Sequence, residues 1–242
     1  QRQLVVNTNV NRRRLTLFGY YALSYGWDNN EGLPADPYNL RAEWGPSAYG
    51  DVRHRAAFGA TVPLLLKIGV SPFFAANSGT PYNITTGLDP AGTGFPTARP
   101  EWIGAPGCEG RACFNSNPPP GGASIIGHNF GRGPGAVNLG LRVSRTWAFG
   151  PEGTSGTSGQ DAAQHGPQSM LTAPPTGRRY NLTLSATSLN ALNHTNLAAP
   201  DGDLSSPYFG QSRALGGLIV MAHGGAASTY NRRVDVQLRF TF

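Results

Sequence analysis

The sequence has few charged residues. They make up 13% of its 242 residues, which is about half of the share usual in globular domains. Lys67 is the only lysine, so the formal net charge of +6 rests on arginine. Apart from Asn11–Arg14, the arginines are scattered and form no basic run with interleaved aromatic side chains. We therefore expect no nucleic-acid partner.

Long apolar runs are also lacking. The longest apolar stretch, Thr61–Val70, is interrupted by Pro63, Lys67 and Gly69. This excludes a membrane-spanning helix, which needs about 18 or more consecutive apolar residues. The chain starts at Gln1 without an initiator Met or a charged-then-apolar leader. We therefore expect it to be a processed or excised piece of a longer protein.

Cysteine is rare, and only Cys108 and Cys113 are present. Their spacing is too short for a tetrahedral metal site, and no histidine is adjacent to them. Two interpretations stay open. The cysteines close a small disulfide loop, which implies an oxidising compartment, or they are free buried thiols.

Groups of catalytic or metal-ligating residues are not recognisable in the sequence. The histidines are dispersed, and the acidic residues lie mostly in predicted loops without a pair typical of glycosidases. We therefore predict that the chain is not an enzyme, and we predict no cofactor and no metal. The histidines are His54, His128, His165, His194 and His223.

Alternation of apolar and polar residues, with a period of two, is the dominant pattern that is present. It recurs in segments of about ten residues or slightly more, which is typical of β-strands. Helical periodicity is almost absent. In the sixth segment we expect a slip of phase near Thr187–Leu189. The predicted strands are Gln3–Val10, Arg14–Trp27, Val52–Val62, Leu66–Asn77, Ala136–Phe149, Arg179–Asn193 and Arg232–Phe242.

The connections between these segments differ in length. Asp28–Asp51, Ser78–Gly135 and Thr195–Tyr230 are long, whereas the connections "NRR" and "PLL" are short. Loops of this length are unusual in a compact soluble domain but are expected on the outer side of an outer-membrane barrel. We predict that residues 78–135 and 195–230 are extracellular loops. Gly150–Gly177, rich in Gly and Ser, falls on the inner side and is predicted to be a flexible insertion.

Strand length and side-chain character favour a membrane barrel over a soluble β-sandwich. Many segments exceed the usual 5–6 residues of a globular strand and fit the roughly 9–11 needed to cross a bilayer. Their polar side chains are mostly Asn, Thr, Ser, Gln and Arg, which suit a wet lumen. Aromatic residues cluster near strand ends, as at bilayer interfaces.

The fold class predicted for residues 1–242 is therefore all-β. We expect one antiparallel transmembrane β-barrel segment of about seven strands, the carboxy-terminal part of a larger barrel. Six charged side chains are predicted to face its lumen, where they form ion pairs, contact a plug or contact a substrate. They are Arg53, Arg55, Arg142, Arg233, Asp235 and Arg239.

Six segments repeat motifs of one family in order along the chain, among them Gly50–Leu64, Gly131–Trp147 and Leu182–Leu197. They resemble the carboxy-terminal barrel of Oar-like TonB-dependent outer-membrane receptors. "GDVRHRAAFGATVPL", Gly50–Leu64, is similar to the family's "DRRHR…SGTYELPFG" hairpin. The terminal "VQLRFTF" is similar to "IQLGLRFSF". Further similar segments are Asn77–Gly94 ("SGRPYTITTGxDxNGDG" in the family), Gly131–Trp147 ("RGPGFFNLDLRLSKTF"), Leu182–Leu197 ("LRAEAFNLFNHTNF") and Ser205–Gln211 ("SSPNFGR").

This resemblance implies a location and a set of partners. The location is the cell outer membrane, and the partners are its lipid, a plug domain, a TonB-type energy-coupling protein and the barrel-assembly machinery. It implies that Phe242 is a carboxy-terminal insertion signal. The family's acidic "DxNGDG" loop appears here as "DPAGTG", in which only Asp89 remains, so no calcium is predicted.

The resemblance implies uptake across the outer membrane, with the chain forming pore wall and ligand-facing loops. Ligand contacts are expected from Ser78–Gly135 and Thr195–Tyr230. Two alternatives stay open. One is a plugless porin-like or adhesion barrel, and the other is a secreted soluble β-sandwich that binds glycans.

Overall fold

A seven-stranded antiparallel sheet dominates the computed structural model, which describes residues 1–12, 15–29, 31–90, 92, 94–119, 124–152, 177–216 and 231–242. The strands are β1 Arg2–Arg12, β2 Leu15–Tyr25, β3 His54–Pro63, β4 Ile68–Asn77, β5 Ala136–Glu152, β6 Arg178–Leu189 and β7 Arg233–Thr241. Most of the predicted insertion at 150–177, and residues 217–230 of the predicted loop at 195–230, lie outside the described residues. No helix in the described ranges is long and apolar enough to span a bilayer.

The sheet is a simple meander in which each strand pairs with its neighbours in sequence, in the order β1 to β7. The prediction of an all-β fold with about seven antiparallel strands is confirmed at this level. Within the described residues β1 pairs only with β2, and β7 pairs only with β6, so the sheet is open.

The predicted sixth strand and its phase slip need correction. β6 ends at Leu189, because Asn190 adopts a left-handed conformation (φ 49°) that asparagine tolerates better than most residues. The slip near Thr187–Leu189 is wrong, since the pairing of β6 with β7 is continuous to Leu189. The irregularity lies instead between Phe149 and Glu152 of β5. There Gly150 has φ 89°, and the following proline cannot donate to the ladder.

One face of the sheet, called the apolar face, carries the aliphatic and aromatic side chains of the alternating pattern. Residues paired directly across an antiparallel ladder share a face, so the register extends this face from strand to strand. Val62 lies opposite Val70, Val70 opposite Val143, Val143 opposite Ala186, and Ala186 opposite Val236. Further members are Leu4, Val6, Leu17, Leu23, Phe58, Phe74, Leu139, Leu141, Leu184, Val234 and Leu238.

Solvent exposure is reversed relative to a soluble sheet. Many large side chains of the apolar face are exposed, and on the edge strand β7 Val236 reaches 71% and Leu238 66%. The buried side chains of the seven strands lie on the opposite face, called the polar face. They are Ala22, Ser24, Ala57, Ala75, Ala136, Asn138, Arg142, Thr183 and Ser185.

The long connections meet at one end of the sheet and form a structured assembly, called the loop cap. It comprises the described residues of 26–53, 78–135 and 190–232. Short two-stranded ladders brace it, pairing Trp27–Asp28 with Gly45–Pro46 and Glu101–Trp102 with Phe114–Asn115. Among the described residues, the cluster of large buried hydrophobic side chains lies here. It consists of Ile84, Ile126 and Leu204, with Tyr82, Trp102, Phe114 and Phe209 packed against them.

The connection between β3 and β4 at the other end is tight. Leu64 donates its backbone N–H to Ile68 O at 2.7 Å, which closes the turn. Leu66 and Lys67 adopt positive φ values of 62° and 57°, a conformation that is unusual for residues other than glycine. A long connection at one end and a tight turn at the other is the alternation expected from the sequence.

Candidate functional site

The two cysteines form a disulfide in the loop cap. Cys108 and Cys113 are bonded, with their Cα atoms 5.9 Å apart. Cys113 is only 1% exposed and precedes Phe114, whose ring meets that of Trp102 edge-on at 5.1 Å. The bond therefore anchors a small surface loop to the aromatic part of the core. The alternative of two free thiols does not describe this structure.

The predicted lumen-facing side chains do not form one cluster. By strand register Arg55, Arg142 and Arg239 share the polar face but lie on β3, β5 and β7. Arg233 and Asp235 pair with each other on β7, with Nε and Oδ1 2.9 Å apart. That these five residues line a lumen stays a prediction.

Arg53 belongs to the loop cap. Its guanidinium lies 3.2 Å from the carboxylate of Asp51 and 4.3 Å from the ring centroid of Tyr25. Asp51 is fully buried and also pairs with Arg132, which donates to Gly79 O at 3.1 Å. Two arginines thus satisfy one buried carboxylate and tie the first long connection to the second.

Phe242 lies at the end of the sheet opposite the loop cap and is 89% exposed. Its ring stacks on Phe240, with ring centroids 6.0 Å apart. Phe240 in turn stacks on Tyr180 at 6.2 Å and on Phe149 at 6.3 Å. These four residues form an aromatic row across β5, β6 and β7. The role of Phe242 as an insertion signal stays a prediction.

A buried polar group inside the loop cap was missed by the sequence reasoning. It begins with Arg99 and Glu43, whose side chains are each 5% exposed. Arg99 binds both carboxylate oxygens of Glu43, with Nη1–Oε2 at 3.2 Å and Nη2–Oε1 at 2.9 Å. The backbone N–H of Ala35 donates to the same carboxylate at 3.0 Å. A bidentate pair of this kind fixes the orientation of the carboxylate.

His128 lies between two carboxylates, with its side chain 3% exposed. Its Nδ1 is 3.5 Å from Oε2 of Glu43, and its Nε2 is 3.8 Å from Oε2 of Glu31. Neither ring nitrogen has a hydrogen-bond partner among the described residues. Oδ1 of Asp28 is likewise buried without a hydrogen-bond partner there. Such atoms are rare in folded proteins.

Glu31 is held in its charged form. Burial acts to raise its pKa, but hydrogen bonds from Ser47, Ala48, Asn129 and Tyr49 outweigh this effect, and the pKa is lowered. The Ser47 hydroxyl donates at 2.6 Å, the Ala48 N–H at 2.7 Å and the Asn129 amide at 2.8 Å. Glu31 therefore brings a negative charge next to His128.

These residues were not recognisable in the sequence because they are far apart along it. Arg99 and Glu43 are separated by 56 residues, and Asn129 and Glu31 by 98. Metal and catalytic motifs are found by short spacings, and no short spacing joins Glu31, Glu43 and His128. Packing of the first two long connections brings the three together.

No known protein family, curated protein or solved structure matches this chain.

Proposed function

We propose that this chain forms part of the wall and the outer loops of an outer-membrane β-barrel. The observation that carries the proposal is the reversed exposure of the sheet. Many of its apolar side chains are exposed, and its buried side chains lie on the polar face. A soluble sheet buries its apolar face against another layer, whereas a barrel in lipid turns that face outward.

The dimensions of the strands support the proposal. β1 and β2 have 11 residues each, β7 has 9 and β5 has 17, and about 9–11 tilted residues cross the hydrocarbon of a bilayer. The aromatic row lies at one end of β5, β6 and β7, while Tyr21 and Tyr25 lie towards the other end of β2. Aromatic side chains favour both bilayer interfaces.

Loop placement supports an orientation. Outer-membrane barrels carry long loops outside and short turns inside, so the loop cap faces outward. The turn at Leu64 and the aromatic row then lie at the periplasmic interface. The polar face lines the lumen, with Arg55, Arg142 and Arg239 among its charged side chains.

The sequence motifs favour a TonB-dependent receptor as the kind of barrel. The chain then supplies the carboxy-terminal strands, and the open edges of β1 and β7 pair with further strands. A plug domain and a TonB-type energy-coupling protein complete the transporter, and the loop cap meets the ligand. A plug domain encoded upstream would distinguish this transporter from a plugless porin-like or adhesion barrel.

A secreted glycan-binding β-sandwich is the alternative outside membranes. It requires a second sheet over the apolar face. The described ranges contain the seven-stranded sheet and ladders of two residues per strand, which are too small to cover it. The exposure of Val236 and Leu238 therefore favours the membrane barrel.

The membrane proposal is tested by quenching of tryptophan fluorescence in vesicles. Two single-tryptophan variants, with the other tryptophans replaced by phenylalanine, are refolded into phosphatidylcholine brominated in its acyl chains. Trp147 lies on the apolar face opposite Leu182 and is expected to be strongly quenched. Trp102, packed against Phe114 in the loop cap, is the matched control and is expected to keep its emission.

The outcome separates the two classes of protein. Equal emission of both variants, in protein that still shows heat-modifiable gel mobility, contradicts lipid contact at the apolar face. Monodisperse, folded protein in buffer without detergent favours the β-sandwich.

A further inference from the structure

Three side chains of the loop cap place potential ligand atoms together. Asp28, Glu31 and His128 each offer one such atom, and these atoms lie within 4.8 Å of one another. Ligands of a tetrahedral zinc ion, with bonds of 2.0–2.1 Å, lie about 3.3 Å apart. Small side-chain rotations therefore bring all three atoms to bonding distance. From this geometry we propose that the loop cap binds one divalent transition-metal ion of the Zn²⁺ class at these residues.

Two of the three side chains carry a buried polar atom that still lacks a partner among the described residues. Nε2 of His128 and Oδ1 of Asp28 have no hydrogen-bond partner among the described residues, and the His128 side chain is 3% exposed. Leaving such groups unsatisfied in a protein interior is costly. A cation at this position satisfies both atoms at once and also neutralises the carboxylates.

Carboxylates lie near both ring nitrogens of His128, although neither nitrogen is hydrogen-bonded among the described residues. A ligating histidine usually donates its other ring N–H to a carboxylate, which fixes the tautomer and the ring orientation. Here Nδ1 faces Glu43 at 3.5 Å, while Nε2 faces Glu31 at 3.8 Å. Glu43 is itself fixed by the bidentate contact with Arg99. Glu43 and Arg99 are thus positioning residues behind the ligand His128.

The chemistry of the ligands selects the class of ion. Imidazole nitrogen favours zinc and similar transition metals, whereas calcium takes oxygen ligands in larger number. Asp28 and Glu31 come from the first long connection, and His128 comes from the second. The ion therefore crosslinks two connections of the loop cap, whether or not the sheet lies in a membrane. This site departs from the sequence prediction that no metal is bound.

The first test is a zinc titration of the whole chain against a chromogenic chelator. One zinc per chain is expected. Asp28→Asn and His128→Gln are each expected to weaken binding by about 100-fold or more, since even residues behind the ligands alter affinity 10–100-fold. His194→Gln, at an exposed histidine of the same loop cap, is the matched control and should bind as tightly as the parent chain.

The second test uses the unsubstituted chain, so it holds even if a site variant fails to fold. With ¹⁵N-labelled histidine, zinc is expected to shift the Nε2 resonance of His128 and to leave the resonances of His194 in place. An excess of calcium should not reproduce the shift. Absence of saturable zinc binding, binding that both site variants retain, or a zinc complex in which His128 Nε2 does not shift overturns the proposal.

Discussion

Val236→Arg places a charge on the apolar face, about halfway along the edge strand β7, and is the sharpest test of what that face contacts. Val236 is 71% exposed and lies opposite Ala186. It precedes Phe240 of the aromatic row by four residues, which is about 14 Å along a strand. At a tilt of about 45° this is about 10 Å of depth, near the middle of an apolar band about 25 Å tall.

The expected cost depends on the surroundings of the sheet. In a lipid bilayer, arginine at mid-depth on the outer face of a barrel destabilises by about 2–4 kcal/mol. In water, substitution at so exposed a site changes stability by about 0.5 kcal/mol or less. Each 1.4 kcal/mol is a factor of ten in an equilibrium constant. The two situations therefore differ by at least a factor of about ten in the ratio of folded to unfolded chain.

The adjacent residue supplies the matched control. Gln237 lies on the polar face, opposite Ser185 and on the same side as Asp235, so Gln237→Arg adds the same charge to the other face. Both variants and the parent chain are unfolded with guanidinium chloride in phosphatidylcholine vesicles, and the folded fraction is read from gel mobility. Equal free energies of unfolding for the two variants, within about 0.5 kcal/mol, would refute lipid contact at Val236.

Two further predictions concern the loop cap. Replacing Cys108 and Cys113 by alanine removes a crosslink between residues five positions apart. We expect the free energy of unfolding to fall by about 2 kcal/mol, because a disulfide that closes so short a loop restricts the unfolded chain by about that amount. Faster hydrogen exchange around these residues measures the loss, and unchanged exchange contradicts it. Hydrogen bonds from the Ser206 hydroxyl and a backbone N–H lower the pKa of the Asp201 carboxyl. Its contribution to stability is therefore complete above the pKa that Asp201 has in the unfolded chain. The contribution is lost as the pH falls through the lower pKa that Asp201 has in the folded protein. Asp201→Asn should make the local exchange protection less dependent on acid pH, and an unchanged acid dependence argues against this assignment.

The strands and their faces were predictable because a period of two is a local property. In β7 the alternation of Val234, Val236 and Leu238 with Asp235 and Gln237 assigns each side chain to a face. The register then continues the apolar face from strand to strand, through the paired residues that run from Val62 on β3 to Val236 on β7. The end of β6 was misplaced, because Asn190 leaves the strand through a backbone conformation that the alternation does not reveal. The predicted fourth strand likewise began two residues early, because Leu66 and Lys67 lie in the turn before β4.

The polar group around His128 was not predictable in the same way. Nothing near His128 in sequence indicates that Glu31 and Glu43 approach its two ring nitrogens. The sequence did restrict the cysteines to a disulfide or free thiols, and the fold decided between these by placing Cys113 beside the aromatic core.

The order of residues by itself determined that the chain forms antiparallel strands with one apolar and one polar face, since side-chain direction alternates along any strand. It also determined the uneven connections between those strands. Only the tertiary structure decided that the long connections pack into one cap and that Asp28, Glu31 and His128 meet inside it. Contacts between residues about a hundred positions apart depend on how the connections fold over one another, and no local pattern carries that information.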